Sequence, residues 1–124
     1  MRTVGLLGGM SWESSAEYYR LLNELVRERL GGTHSARCVM WSADFAEIEA
    51  LQEAGDWDGA GAVLAEAARG LQAAGADLLL LCTNTMHRVA PQIAAAVGIP
   101  LLHLAEVTAD AVAAAGVRRA GLLG

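Results

Sequence analysis

Basic residues are scarce in this chain of 124 residues: nine against fourteen acidic ones leave a net charge of -5. No basic stripe is available for a phosphate backbone, so nucleic acid and an anionic membrane surface are excluded as expected partners. Long hydrophobic runs are missing too. No segment approaches the roughly 20 apolar residues that cross a bilayer, and the amino terminus enters a strand-like Val4 to Leu7 instead of a basic region with a signal core. The cytoplasm is the expected compartment. Only two prolines interrupt a chain that is 54% hydrophobic, which suits one domain with an adequate core and implies no disorder. Two cysteines, Cys38 and Cys82, stand in no CxxC or Cys/His spacing. No metal site and no disulfide are expected from them, and Cys38 reads as a core residue.

What is present is an alternation of apolar strands and amphipathic helices, the pattern of an α/β fold with a mainly parallel sheet flanked by helices. Val4 to Leu7 is the first strand, turned by Gly8 and Gly9. A capping box of Ser14 and Glu17 precedes Tyr18, Leu21, Leu22, Leu25 and Val26 on one helical stripe, ended by Gly31 and Gly32. Cys38 to Ala43 reads as the second strand, followed by a short helix with Ile48 and Leu51. Asp56 caps the next helix, which buries Leu64, Ala68 and Leu71 and stops at Gly75. Leu78 to Leu81, Leu101 to Leu102 and Ala120 to Leu123 complete the strands. Met86 to Val97, with Pro91 in its early turns, and Ala105 to Ala115 complete the helices.

The stretch richest in chemistry is Leu78-Leu79-Leu80-Leu81-Cys82-Thr83-Asn84-Thr85-Met86-His87. Its unalternating apolar run predicts a strand buried on both faces, with Cys82 at the carboxyl edge where open α/β sheets hold ligands. A helix beginning within Thr83 to Thr85 would present unpaired amides and favour thiolate over thiol. The loop of Met10 and Ser11, after the first strand, is expected beside it at the same edge of the sheet.

Two other chemistries fit parts of the pattern less well. Cys82 and Arg88 have the C-x5-R spacing of cysteine phosphatases, but no glycine lies between them to let the backbone wrap a phosphate. Gly5 to Gly9 lacks the GxGxxG spacing of a nucleotide site. His87 fits a substrate-orienting role or a hydrogen bond to nearby backbone. His34 and His103 read as structural, Trp12, Trp41 and Trp57 as packing residues, and Arg27-Glu28-Arg29 as a solvated face. A non-catalytic role, as a folding or partner-binding domain, is the third class to weigh.

A short repeat sets the organisation. Arg2-Thr3-Val4-Gly5-Leu6-Leu7-Gly8 and Arg118-Arg119-Ala120-Gly121-Leu122-Leu123-Gly124 share R-x-x-G-L-L-G. The economical reading is a duplicated α/β unit, with residues 1-116 forming the first domain and 117-124 beginning a second that is cut short. Gly8-Gly9-Met10-Ser11-Trp12-Glu13-Ser14, Tyr18-Tyr19, His34-Ser35-Ala36, Asp44-Phe45, Gly55-Asp56-Trp57 and Cys82-Thr83-Asn84-Thr85-Met86-His87 occur in this order. Together they resemble the aspartate/glutamate racemase family along the whole chain.

The resemblance implies two similar α/β domains with the active site between them, one acid/base cysteine from each, and no cofactor. It makes Cys82 the catalytic thiol of the first domain. It gives Thr83, Asn84 and Thr85 the substrate's α-carboxylate or amino group, Met10 and Ser11 a place lining the pocket, and Gln52 the distal carboxylate. The implied partners are a small acidic amino acid, aspartate before glutamate, the missing second domain and a second copy of the chain as a homodimer. With one cysteine and half a pocket, the chain alone is expected to be inactive.

Overall fold

Four short apolar segments, Cys38–Ser42, Val4–Gly8, Leu78–Leu81 and Leu101–Leu102 in their order across the sheet, pair in parallel, and the helices that connect them lie on its two faces. The computed structural model describes residues 1–123. In chain order the elements are β1 (Val4–Gly8), α1 (Trp12–Leu30), β2 (Cys38–Ser42), α2 (Phe45–Glu53), α3 (Trp57–Ala73), β3 (Leu78–Leu81), a 3-10 turn (Thr85–Val89), α4 (Ala90–Ala95), β4 (Leu101–Leu102) and α5 (Leu104–Ala114).

The register sorts the leucines onto two faces. Leu7 lies between Trp41 and Leu81, and Leu6 between Met40 and Leu80. Side chains alternate along a strand, so Leu7, Leu79 and Leu81 share one face while Leu6, Leu78 and Leu80 share the other. The first face carries the main core, where Ala60, Leu64, Ala68 and Leu71 of α3, Ile48 of α2 and Ile93 of α4 are all buried against it. The expected α3 stripe is the one observed, and Asp56 caps the helix by accepting the Gly59 amide at 2.8 Å.

The other face is covered less completely, and here expectations need correction. The stripe of α1 buries little: Leu21 is 43% and Leu25 48% exposed, and Ser15 is the one buried residue of the helix. The Ser14/Glu17 capping box does not form. The helix begins three residues earlier, with Ser11 at the cap position, and Glu17 pairs with Arg20 instead. Trp12, read as a packing residue, stands exposed, and Cys38 is half-buried on the edge strand β2. Helix α5 buries none of its residues.

Two further elements differ from expectation. The single helix from Met86 to Val97 is a 3-10 turn followed by a separate short α4, with Pro91 in its first turn, where a missing N–H is harmless. Ala120 to Leu123 form no strand among the described residues. A strand is held by hydrogen bonds to a neighbour, and this segment has none, leaving Leu122 and Leu123 97% exposed. The last residue of the expected strand-end repeat, Gly124, lies outside the described residues.

Candidate active site

The strand order reverses direction between β1 and β3, since the chain leaves β1 for β2 on one side and returns to β3 on the other. In a sheet of order 2-1-3-4 the loops after β1 and β3 diverge at their carboxyl ends and leave a crevice, the usual ligand position of open α/β folds. Flavodoxin-like sheets hold their ligand at this same β1/β3 boundary. The Met10-Ser11 loop follows β1, and the Cys82 to Thr85 loop follows β3. They are side by side, as expected: the Cys82 amide donates to the Leu7 carbonyl at 2.8 Å, continuing the ladder one residue past β3.

Local packing fixes the first loop. Ser15, buried on α1, accepts the Gly9 amide at 2.8 Å through its hydroxyl oxygen and donates to the Ser11 carbonyl at 3.3 Å. So close an approach requires Gly8, where a Cβ would meet Ser15 Oγ at 2.5 Å, and Gly9, whose φ of 87° suits a residue without a side chain. Ser11 is half-exposed at the start of α1, while the Met10 side chain turns down into the core instead of lining an open pocket.

The second loop separates a closed part from an open one. Cys82 is 0% exposed, and strand alternation puts it on the Leu80 side, under α1. Its thiol lies 3.9 Å from the Leu80 carbonyl, at the limit of a weak S–H donation. Burial pushes the Cys82 thiol up to about 12. The expected depression toward thiolate is therefore overturned. The 3-10 turn is five residues long, without a side-chain cap, and supplies too short a run of aligned peptides to offset the desolvation. Tyr18, read only as part of the α1 stripe, is an ionisable group that feels the thiol. Burial first, and the charge of a Cys82 thiolate second, hold its phenol above its ordinary value.

Thr83, 9% exposed, is the last residue of the loop to be buried, and Asn84 and Thr85 are exposed. No buried side-chain oxygen or nitrogen lacks a partner among the described residues, and the Thr83 hydroxyl bonds to no protein group, so it opens to solvent. Gln52, near the end of α2, has its amide nitrogen 2.9 Å from the sulfur of the buried Met86 in the 3-10 turn. Sequence alone had no means of pairing positions so far apart.

Other side chains take structural places. Arg88 stacks on the Trp57 ring at 4.3 Å, at the start of α3, so the C-x5-R arrangement forms no cradle over the thiol. His87 is bonded to backbone through both ring nitrogens, and His103 accepts the Ala105 amide at 3.2 Å as the cap of α5. Among the described residues, no three His, Cys, Asp or Glu side chains converge as a metal site would require. No helix among them is long and apolar enough to cross a membrane.

Comparison with known proteins agrees with this geometry. Residues 7–124 match the Asp/Glu/hydantoin racemase family, and the chain belongs to that family. It is similar to a candidate Asp/Glu racemase from Yersinia pestis, with 52% identity and a TM-score of 0.91 over 94% of this chain and 50% of that one. A homologue of aspartate racemase from Pyrococcus horikoshii is 30% identical, with a TM-score of 0.87 over 95% of this chain and 51% of that one. The aspartate racemase of Picrophilus torridus shares the fold at 16% identity, with a TM-score of 0.74 over 97% of this chain and 78% of that one. The chain thus spans about half the length of the first two.

Proposed function

We propose that the protein racemises a small acidic amino acid, with aspartate preferred to glutamate, and that this chain supplies one wall of the pocket. The observation that carries the reading is the meeting of the Met10-Ser11 and Cys82 to Thr85 loops at the β1/β3 crevice of a racemase-family chain. Inversion at the α-carbon removes a proton from one face and returns one to the other, which takes two acid/base groups on opposite sides of the substrate. One wall can serve one face. The remaining half of the protein, which on the R-x-x-G-L-L-G repeat begins a second α/β unit near residue 117, supplies the other. The working unit has as partners the amino acid, that second half and a second copy of the chain.

Negative charge developing on the α-carbon spreads into the adjoining carboxylate as the proton leaves. The exposed amide of Asn84 and the hydroxyls of Thr83 and Thr85 are donors suited to hold it, and we assign Gln52 to the distal carboxylate. Without a cofactor as electron sink, these donors would carry most of that stabilisation. Cys82 is the acid/base group of this wall. Its raised pKa makes the thiol form the resting one, which suits it to hand a proton to the carbanion first.

A specific observation favours a second assignment for that step. Cys82 is closed under α1, whereas the hydroxyl of the next residue, Thr83, keeps access to solvent. Comparing Cys82→Ala with Thr83→Ala in the complete protein separates the two. Loss of aspartate racemisation in Cys82→Ala alone supports the thiol. Retention there, with loss in Thr83→Ala, transfers the role to the hydroxyl.

A further inference from the structure

His87 binds two separate stretches of backbone at once. Its Nδ1 lies 2.6 Å from the Thr83 carbonyl, and its Nε2 lies 3.1 Å from the Leu104 amide nitrogen. A carbonyl can only accept and an amide can only donate, so Nδ1 carries the proton and Nε2 offers its lone pair. Thr83 opens the run of donors in the crevice, and Leu104 is the first residue of α5. We propose that His87 is a positioning residue: as the neutral Nδ1–H tautomer it staples the Thr83 to Thr85 loop to the start of α5 and so fixes the donors that hold the substrate's carboxylate.

The surroundings favour that form. The ring of His103 meets His87 edge-on at 4.8 Å, and His103 takes the next amide of α5, that of Ala105. Two imidazoles therefore satisfy two successive orphan donors of one helix start. A second proton on His87 would set Nε2–H against the Leu104 N–H, donor against donor. Burial holds the His87 pKa below its ordinary value, and His103 opposes a positive charge there, although the Thr83 carbonyl favours one. Charged side chains on the elements around His87 are Glu106 and Asp110 of α5, Arg118 and Arg119 beside the Ala120 segment, Arg88, which is held on Trp57, and Asp58, Glu66 and Arg69 of α3, which packs on the 3-10 turn.

The staple is a matter of geometry, while its purpose rests on the racemase reading, and two measurements keep these apart. Nitrogen-15 spectra of the histidine rings, assigned with His34→Gln and His103→Gln variants, are expected to show His87 protonated at Nδ1 and bare at Nε2 at neutral pH. An Nε2–H ring or a charged ring there would overturn the proposal. In racemisation assays of the complete protein, His87→Ala is expected to lower kcat about ten-fold with a smaller change in KM, because the donors it holds act on charge that develops as the proton leaves. His87→Asn, whose amide can still donate to the Thr83 carbonyl, is expected to recover most of that loss. If both variants fold and His87→Asn is no better than His87→Ala, the positioning role is wrong. A wild-type protein with the Nδ1–H tautomer and no racemisation would leave the staple standing and remove the reaction assigned to it.

Discussion

On one face of the sheet, helices α2, α3 and α4 bury Leu7, Leu79 and Leu81, whereas α1 on the other face leaves Leu21 and Leu25 of its apolar stripe exposed. Both helices carry an apolar stripe, but α1 is rich in charged residues whereas α3 is built mainly of alanine, glycine and leucine. The neighbours differ as well: α3 is flanked by α2 and α4, while α1 has no helix locked beside it and α5 buries nothing. Amphipathic spacing thus says that a helix has a face to bury, while its composition and its neighbours together decide how much of it disappears.

The two thiols give the largest effect by which this contrast can be broken. Cys82 is fully enclosed between β3 and α1, and Cys38 is half-buried on an edge strand. With its pKa pushed up to about 12 from an ordinary 9.0, Cys82 has about a thousandth of the usual thiolate at neutral pH. Iodoacetamide should therefore label Cys38 first and Cys82 only slowly in this chain, the reverse of what the motif suggests. Fast labelling of Cys82 would mean that the enclosed state is not the one in solution. Because its folded pKa lies above the ordinary 9.0, the buried thiol contributes stability below pH 9 that fades as pH rises toward 12. Cys82→Ala should accordingly flatten the alkaline loss of stability seen in denaturant titrations.

Core truncation comes next. Leu64→Ala, on the closed face, is expected to cost about 2–5 kcal/mol in urea unfolding, since α3 has no freedom to collapse into the cavity. Asp56→Ala, which removes the cap that holds the Gly59 amide, should cost about 1 kcal/mol. Leu25→Ala on α1 should change stability by no more than about 0.5 kcal/mol. A cost for Leu25→Ala comparable to that of Leu64→Ala would show that the second face is covered in solution.

Legibility in the sequence followed the same division. The strands β1 to β4, the α3 stripe with its Asp56 cap and the glycines that end α1 could be read because each depends on residues close in the chain. The common edge shared by the Met10-Ser11 and Cys82 loops was also legible, through the rule for ligand placement in open sheets. The misplaced features depend on partners outside their own element. Ser15 anchors Gly9 where a local capping box at Ser14 looked sufficient, and Met10 packs into a core assembled from α2 and α3. The Cys82 thiol is governed by its cover from α1, far earlier in the chain, and not by the helix start that follows it. The dual role of His87 needed Leu104 in place before either bond could be seen.

Racemisation itself is followed most simply through the α-hydrogen. The complete protein would be incubated with L-aspartate and, separately, with L-glutamate in deuterated water, while optical rotation and deuterium at the α-carbon are recorded together. Rotation is expected to decay as deuterium enters, faster with aspartate, because the proton returned on the opposite face comes from a group in exchange with solvent. Unchanged rotation with no deuterium at the α-carbon of either amino acid would contradict the racemase reading.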